Sequence, residues 1–332
     1  MADVIVANPG QLNGEGDRLA GMMKVFSGEV LTAFEQATVT MDKHQVRTIS
    51  NGKSASFPCV GRATAAYLTP GGNLDDIREN IIHGEKIIVI DGLLTTSQLI
   101  TDIDEAMMHY DIRSEYSRQM GEVLALKADA AVLAEAIKMT VAGKENITGL
   151  GKGKVVNVTT AAGDKGITAN LGLEVVARLL EIKAEMTRNR VPQADRYVYV
   201  TPEVYSALVI SLVAINRDYG GLGSIADGGI LKIAGFTIVE VPHLVEGGAN
   251  KTGAIQGEGH DVPETIGEAS KNDVLFVVMH RSAVGTVKLK DLATERARRA
   301  ELQADMLIAR YAMGHGGLRP ESAYVGVWKA KA

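Results

Sequence analysis

Residues 110 to 141 read YDIRSEYSRQMGEVLALKADAAVLAEAIKMTV, and this stretch decides how the rest of the chain is arranged. Tyr116, Met120, Val123, Leu124, Ala130, Leu133, Ala134, Ile137 and Val141 recur at threes, fours and sevens, the stripe of a helix with 3.6 residues per turn. The run has no proline, and Gly121 costs only about 1 kcal/mol against alanine. Thirty-odd helical residues make a rod of roughly 45 to 50 Å. Such a helix is either a strut or one member of a bundle. The flanking sequence decides, according to whether it supplies partner helices.

Toward the N-terminus, residues 1 to 16 are polar and glycine-rich, as in an extended arm. Asp17 is placed to cap a helix through Ala37, with Leu19, Met22, Met23, Phe26, Val30, Leu31 and Phe34 on one side. Gly21 and Gly28 weaken that helix, so it is expected to dock on another surface. From Thr38 to Leu94 the pattern becomes strand-like: HQVRTI, SASFPCV, AAYL and EKIIVI, separated by Asn51-Gly52, Pro70-Gly71-Gly72 and Asp91-Gly92 turns. A two-stranded ribbon is marginal alone in water. It must lie on its own domain or on a neighbouring molecule. Thr95 and Thr96 then read as caps of a short helix from Ser97 to Tyr110.

Beyond the long helix, Gly149, Gly151 and Gly153 form a GxGxG that lacks the strand-before and helix-after context of a dinucleotide fingerprint; a flexible linker is expected. A second unit begins near Val155. It reads as a helix from Asn170 to Arg190, the strand RYVYV, a helix capped by Thr201 with Pro202 at its first position and running to about Ile215, and the strand GFTIVEVP. Residues 247 to 271 have no period and read as a surface loop, with His260 solvated. DVLFVVM (273 to 279) is a buried strand and AVGTVKLK another. By propensity Leu292 to Met313 is helical, whereas the glycines at 314, 316 and 317 and the alternating YVGVW read as a hairpin return.

The chain has 332 residues, 46% hydrophobic and 23% charged, which is a globular composition with a core. A net charge of −5 argues against a protein built to hold nucleic acid electrostatically. One cysteine, Cys59, excludes an intrachain disulfide. No apolar run reaches the ~18 residues that span a bilayer, and the N-terminus lacks a signal peptide's charged and apolar regions, so no membrane role is expected. No two histidines stand at ligand spacing, and HExxH, GxSxG and the P-loop pattern are absent. His280, Arg281 and Ser282 are the most catalytic-looking trio, and the surrounding strands favour packing. Arg281, Lys288, Lys290, Arg296, Arg298 and Arg299 are interleaved with Asp291, Glu295 and Glu301, a pattern suited to ion pairs, including pairs between subunits, or to a solvated surface. No enzyme, metal or cofactor is expected.

Several segments are similar to one family: KVFSGEVLTAF (24 to 34), GKSASFP (52 to 58), NLDDIREN (73 to 80), IDGLL (90 to 94), DIDEAMMHYDIRSEYSRQMGE (102 to 122), VEVPHL (239 to 244) and MHRSAVGTVKLKDLATERARRAELQADMLIARYAMGHGGLRPE (279 to 321). Together they resemble the major capsid proteins of T-seven-like short-tailed bacteriophages. The resemblance implies an α+β, Hong Kong-97-like capsid fold. Its parts would be an N-terminal arm (1 to 48), an extended β-hairpin loop (49 to 92), a peripheral domain (93 to 150 and 275 to 332) with a spine helix (110 to 141), and an axial domain (151 to 274). It implies that about Leu302 to Met313 pairs as a strand with Tyr324 to Trp328.

The function implied is self-assembly of hexamers and pentamers into an icosahedral head. The partners implied are other copies of the chain, a scaffolding protein, a portal, and packaged double-stranded DNA by non-specific contact, with assembly in the host bacterial cytoplasm. An encapsulin-like compartment shell is the alternative. Contacts between subunits are expected at Phe26, Phe34, Lys53, Arg62, Asp75, Asp76, Arg78, Arg281, Arg296, Arg298, Arg299, Arg319 and Glu321. Some relatives cross-link their shells through a lysine; the subgroup resembled does not, so none is expected at Lys53.

Overall fold

A computed structural model describes residues 20–107, 112–211, 232–242, 244, 256–257 and 260–331. In chain order the main elements are α1 (Ala20–Ala37), β1 (Gln45–Thr48), β2 (Ser54–Val60), β3 (His83–Val89), β4 (Leu94–Thr101), α2 (Asp102–Met107), α3 (Ile112–Ala142) and β5 (Lys154–Thr160). They continue with α4 (Ala169–Arg188), β6 (Arg196–Val200), α5 (Pro202–Ile210), β7 (Lys232–Ile233), β8 (Phe236–Glu240), β9 (Gln256–Gly257), β10 (His260–Asp261), β11 (Thr265–Ile266) and β12 (Ala269–Ser270). The chain ends with β13 (Val274–His280), β14 (Val284–Arg299), β15 (Ala304–Gly317) and β16 (Ala323–Ala330). Two compact units result. One takes Met1–Thr38, Asp91–Ala128 and Lys288–Met313, the other Val39–Ile90, Asp129–Val287 and Gly314–Ala332.

The second unit is built on a mixed sheet ordered β5-β16-β13-β6-β8-β7. β13 lies antiparallel to β16 and β6, while β16–β5 and β6–β8 are parallel. Both faces are covered, so β13 reads as a continuous apolar run rather than an alternating one. On one face Phe276, Val278, Val198, Val200 and Tyr324 pack against Leu171, Val175, Leu179 and Ile182 of α4 and Val204 and Leu208 of α5. On the other, Val277, Met279, Tyr199, Val325 and Val327 pack against Val132, Leu133, Ala136 and Ile137 of α3. Each such side chain contributes about 1.5–3 kcal/mol on burial. Gly326 makes room for the Phe276 ring, since a Cβ there would sit 2.3 Å from it. α4 starts where Thr168 accepts the Leu171 N–H, and α5 where Thr201 accepts that of Val204 with Pro202 at the first turn.

In the first unit β4 pairs antiparallel with β15, from Leu94–Tyr311 to Thr101–Ala304. α1 crosses α3 at Gly121, where a Cβ would lie 2.6 Å from the Val30 carbonyl oxygen and 2.8 Å from the Ala33 Cβ. The glycine that looked like a mild defect permits a close helix crossing.

Several expectations are corrected. Ser97–Thr101 is strand, because the β15 edge supplies its hydrogen-bond partners, and helix begins only at Asp102. Leu292–Arg299 and Ala304–Met313 are strand as well, since sheet pairing overrides helix propensity. The implied pairing of residues 302–313 with 324–328 does not occur: β15 pairs with β4, and β16 with β13 and β5. Gly314, Gly316 and Gly317 lie inside β15, and the turn comes at Pro320–Ser322. AAYL is irregular rather than strand. α3 is not a single stripe: Val123 is 45% exposed, whereas Ala128 to Ala134, together with Ala136 and Ile137, are all buried. The 143–153 loop is docked: Ile147 and Leu150 are buried, and the Asn146 amide donates to the Leu318 carbonyl. Asp17 and residues 247–255 lie outside the described residues. Val262, Ile266 and Ala269 join the core, so that end of the expected surface loop is packed.

Candidate assembly surface

The sequence between Asn51 and Ile90 folds as a ribbon, with β2 and β3 paired from Ser54–Val89 to Val60–His83. Gly52, at φ 112, turns the chain into it, and the Gly61 N–H extends the ladder to the Ile82 carbonyl. Pro58 is tolerated because β2 has a partner on one side only. The base is fixed: Ala55 and Ile88 pack on Val287 and Leu318, and the Ile90 N–H donates to the Lys53 carbonyl. Gly314 and Gly316 let β15 approach; a Cβ at Gly314 would lie 2.2 Å from the Val89 carbonyl oxygen. Arg47 adds a bond to the Ser56 carbonyl at 2.7 Å, 6.0 Å from the Phe57 ring centre.

Beyond that base the ribbon is mostly exposed, with Arg62 bonded to the Leu150 and Asn189 carbonyls. Of the seven residues of β3 only Ile88 is buried. Val60, Tyr67, Leu74, Ile82, Ile87 and Val89 are all more than 45% exposed, and Tyr67 is fully so. At the tip, the Thr64 hydroxyl donates to the Glu79 carboxylate at 2.6 Å, and Asn73 caps a short 3₁₀ turn at Leu74–Ile77. A run of exposed large apolar groups on a two-stranded ribbon marks a surface made to be covered.

The other expected contact residues differ in exposure and partners. Lys53, Asp75, Arg78, Arg281 and Arg299 are exposed, with Asp75 and Arg78 paired at 3.1 Å. Phe34 and Glu321 are turned inward: Phe34 stands edge-on to Tyr311 at 6.1 Å, and Glu321, 1% exposed, holds Arg319 at 2.7 Å. Arg62 is spent on the carbonyls of Asn189 and Leu150. The side chains of Phe26 and Asp76 lie outside the described residues.

The basic series pairs with carboxylates that sequence proximity did not indicate. Arg298 grips Asp102 with both terminal nitrogens at 2.5 Å and reaches Asp305 at 3.4 Å; Arg296 also binds Asp305. Burial raises the Asp305 carboxyl, but the two guanidiniums outweigh it and hold it below the usual aspartate range. Arg310 meets Glu295 at 2.7 Å.

No catalytic arrangement accompanies these surfaces among the described residues. His280 Nδ1 accepts the Ser282 N–H at 3.1 Å and lies 2.8 Å from its hydroxyl, a closed turn whose burial, with Arg319 nearby, lowers the imidazole pKa. No group of three His, Cys, Asp or Glu among the described residues is arranged to hold a metal, and no described helix is long and apolar enough to cross a membrane. The fold does gather three histidines that looked isolated. His44, His260 and His315 are all buried; His260, expected in solvent, binds Glu135 at 2.8 Å. Asp129 is also buried, accepting the N–H groups of Val39 and Thr40 and the Thr40 hydroxyl at 2.8, 3.1 and 2.5 Å. Its signal in the sequence is a carboxylate inside the apolar run Ala128–Ala134, which must find donors when buried.

A family model described as Gp10A-like major capsid protein matches residues 56–326. The chain belongs to that family. The chain is 51% identical over 324 residues to the major capsid protein of Escherichia phage T7, covering 95% of this chain and 94% of the relative. It is 50% identical over 328 residues to that of Enterobacteria phage T3, with 96% and 94% covered. The capsid structure of cyanophage P-SCSP1u matches with a TM-score of 0.70 at 35% identity, over 99% of this chain and 100% of that one. The fold is the Hong Kong-97-like capsid fold, of α+β class. The protein is a structural component of a phage shell and not an enzyme. Identity at this level over about 95% of the chain also sets aside the encapsulin-like alternative.

Proposed function

We propose that this capsid protein closes its shell by laying the exposed β2–β3 ribbon over a neighbouring copy, within hexamers and pentamers of an icosahedral head around double-stranded DNA. The observation that carries this reading is the ribbon: a fixed base, an uncovered apolar length, and too few strands to be stable by itself. Obligate interfaces exceed ~2,000 Å², and reaching arms supply such area. We assign residues 1 to 48 to the arm, 49 to 92 to the extended loop, 93 to 150 and 275 to 332 to the peripheral domain, and 151 to 274 to the axial domain. Lys53, Asp75, Asp76, Arg78, Arg281 and Arg299 are the contact residues this reading favours, with Phe26 on the arm.

A net charge of −5 suits a container whose DNA must leave, because a strongly basic wall would hold it through many phosphate contacts. DNA contact is therefore non-specific. A scaffolding protein during assembly and a portal at one vertex complete the partners, with assembly in the host bacterial cytoplasm. Electron microscopy of the purified full-length chain tests the proposal. Closed shells are expected, and discrete small oligomers under all assembly conditions would refute it. Deleting residues 1 to 35 is expected to abolish closure; normal shells from that variant would remove the arm from the proposal.

A further inference from the structure

The ribbon has a second seat beyond its base. Ala55 and Ile88 lie at the base, and the β2–β3 ladder runs on to Val60–His83, roughly 17 Å further at ~3.4 Å per residue. There the Gly61 N–H donates to the Ile82 carbonyl at 2.8 Å, and buried Ile147 lies against both strands. A Cβ at Gly61 would meet its Cγ2 at 3.5 Å, and one at Gly84 its Cγ1 at 3.9 Å. Next to Gly61, the Arg62 guanidinium donates through Nη2 to the Asn189 carbonyl and reaches that of Leu150 at 3.5 Å. From Ala63 to Ile82 every described side chain but that of Ile77 is exposed. Among the described residues, Arg62 makes the outermost hydrogen bonds from the ribbon to the rest of the chain.

Asn189 is the C-cap of α4. The last carbonyls of a helix lack intrahelical partners and carry the negative end of its dipole, so a guanidinium suits them as donor. The Asn189 N–H bonds back to the Glu185 carbonyl at 2.9 Å, and its side-chain amide donates to the Tyr324 hydroxyl at 3.1 Å, which ties this end of α4 to β16. The 145–153 loop is closed on itself and on the sheet. Glu145 accepts the Gly149 N–H at 2.9 Å, the Leu150 N–H bonds the Ile147 carbonyl at 3.2 Å, and the Asn146 amide holds the Leu318 carbonyl. Gly151, at φ 96, and Gly153 bring the loop close: a Cβ on the first would stand 2.9 Å from Asn189 Oδ1, and on the second 2.6 Å from the Ala323 carbonyl oxygen. Both belong to the GxGxG that lacks a phosphate loop's context, and they set the loop against α4 and β16 where Arg62 reaches it.

One attachment leaves a two-stranded ribbon able to swing about its base, whereas two attachments along its length fix a direction. We propose that Arg62 is the positioning residue that sets the angle at which the exposed part of the ribbon leaves the subunit, so that it meets a neighbouring copy already aimed. This rests on the reading of the ribbon as the part laid over a neighbour. Arg62, expected to bond another subunit, instead acts within its own. A segment ordered before contact loses less conformational freedom on binding, so shells form more readily with this seat filled.

Hydrogen exchange on full-length, unassembled subunits and light scattering during shell formation test this in Arg62→Met and Arg62→Lys. In Arg62→Met, which keeps an apolar stem without donors, exchange of the Gly61 N–H is expected to quicken about tenfold, as for the loss of one hydrogen bond to a charged group. The Ile90 N–H at the base is expected to stay within about twofold, and shell formation to slow about tenfold. Arg62→Lys, which retains a charged donor, is expected to bring both readings back to within about threefold of wild type. Slower shells with unchanged Gly61 exchange would show Arg62 bonding a neighbouring copy directly and would overturn the proposal, as would faster exchange with shells at the wild-type rate. Ile87→Ala leaves the seat intact and separates this role from the reading of the ribbon. If it slows shells and Arg62→Met does not, the positioning role alone falls; if neither slows them, the ribbon reading falls too. Should Arg62→Met not fold, Ile147→Val loosens the same end with Arg62 in place. It is expected to quicken Gly61 exchange and slow shells together by about threefold, and either effect without the other would refute the positioning role.

Discussion

β13 and β3 are both seven-residue strands rich in valine or isoleucine, and they meet opposite fates. In β13 every residue is buried, between α4 and α5 on one face and α3 on the other. In β3 one residue is buried, at the ribbon's base. Local composition is therefore a poor guide to where apolar surface is covered. β13 finds its cover inside the chain, whereas β3 leaves all but one of its side chains exposed. A protein that assembles needs both kinds of strand: one to make a subunit stable, one to leave free energy for association.

This contrast can be broken at either end. The largest effect on subunit stability is expected at the sheet: Phe276→Ala should cost about 3–5 kcal/mol in urea unfolding, whereas Ile87→Ala on the ribbon should change it by less than about 0.5 kcal/mol and lower the yield of shells. Equal destabilisation by the two would show that the ribbon is part of the subunit's core. Next is Gly314→Val, which forces a side chain against the Val89 carbonyl and should cost about 1–3 kcal/mol. Limited proteolysis within residues 61 to 82 should quicken, and an unchanged cleavage rate would remove the glycine from the anchoring account.

A smaller effect is expected at Asp305. Its carboxyl is held below the ordinary range, so its stabilising contribution is present at neutral pH, above the unfolded aspartate value, and lost as pH falls through the lowered folded value. Asp305→Asn should flatten that part of the acid unfolding curve, and a curve identical to wild type would refute the role. Smallest for the subunit is Asp75→Lys with Asp76→Lys at the exposed tip. Urea stability should move by less than about 0.5 kcal/mol while assembly weakens, and equal loss of solubility and assembly would contradict a contact role there.

Much of the architecture was legible without coordinates. The helix at 112–142, the β2–β3 ribbon, the helix α4, the capped helix α5 and the strand β13 all follow from period, turn residues and one cap. The failures share a cause. Ser97–Thr101 and Leu292–Met313 favour helix locally and became strand because their hydrogen-bond partners lie far away in sequence. His44, Thr286 and His315 could not be associated, since 242 and 29 residues separate the bonded pairs.

The sequence by itself determined where α3, α4 and α5 run, where the ribbon turns and which residues are apolar, because those depend on neighbours within a few positions. It also carried the family, through long motifs rather than any one residue. Only the tertiary structure decided which apolar surface is core and which is left exposed. It also decided which carboxylates hold Arg296 and Arg298, and that three separate histidines share one buried network. Each of these depends on side chains brought together across large sequence separations, which local periodicity does not record.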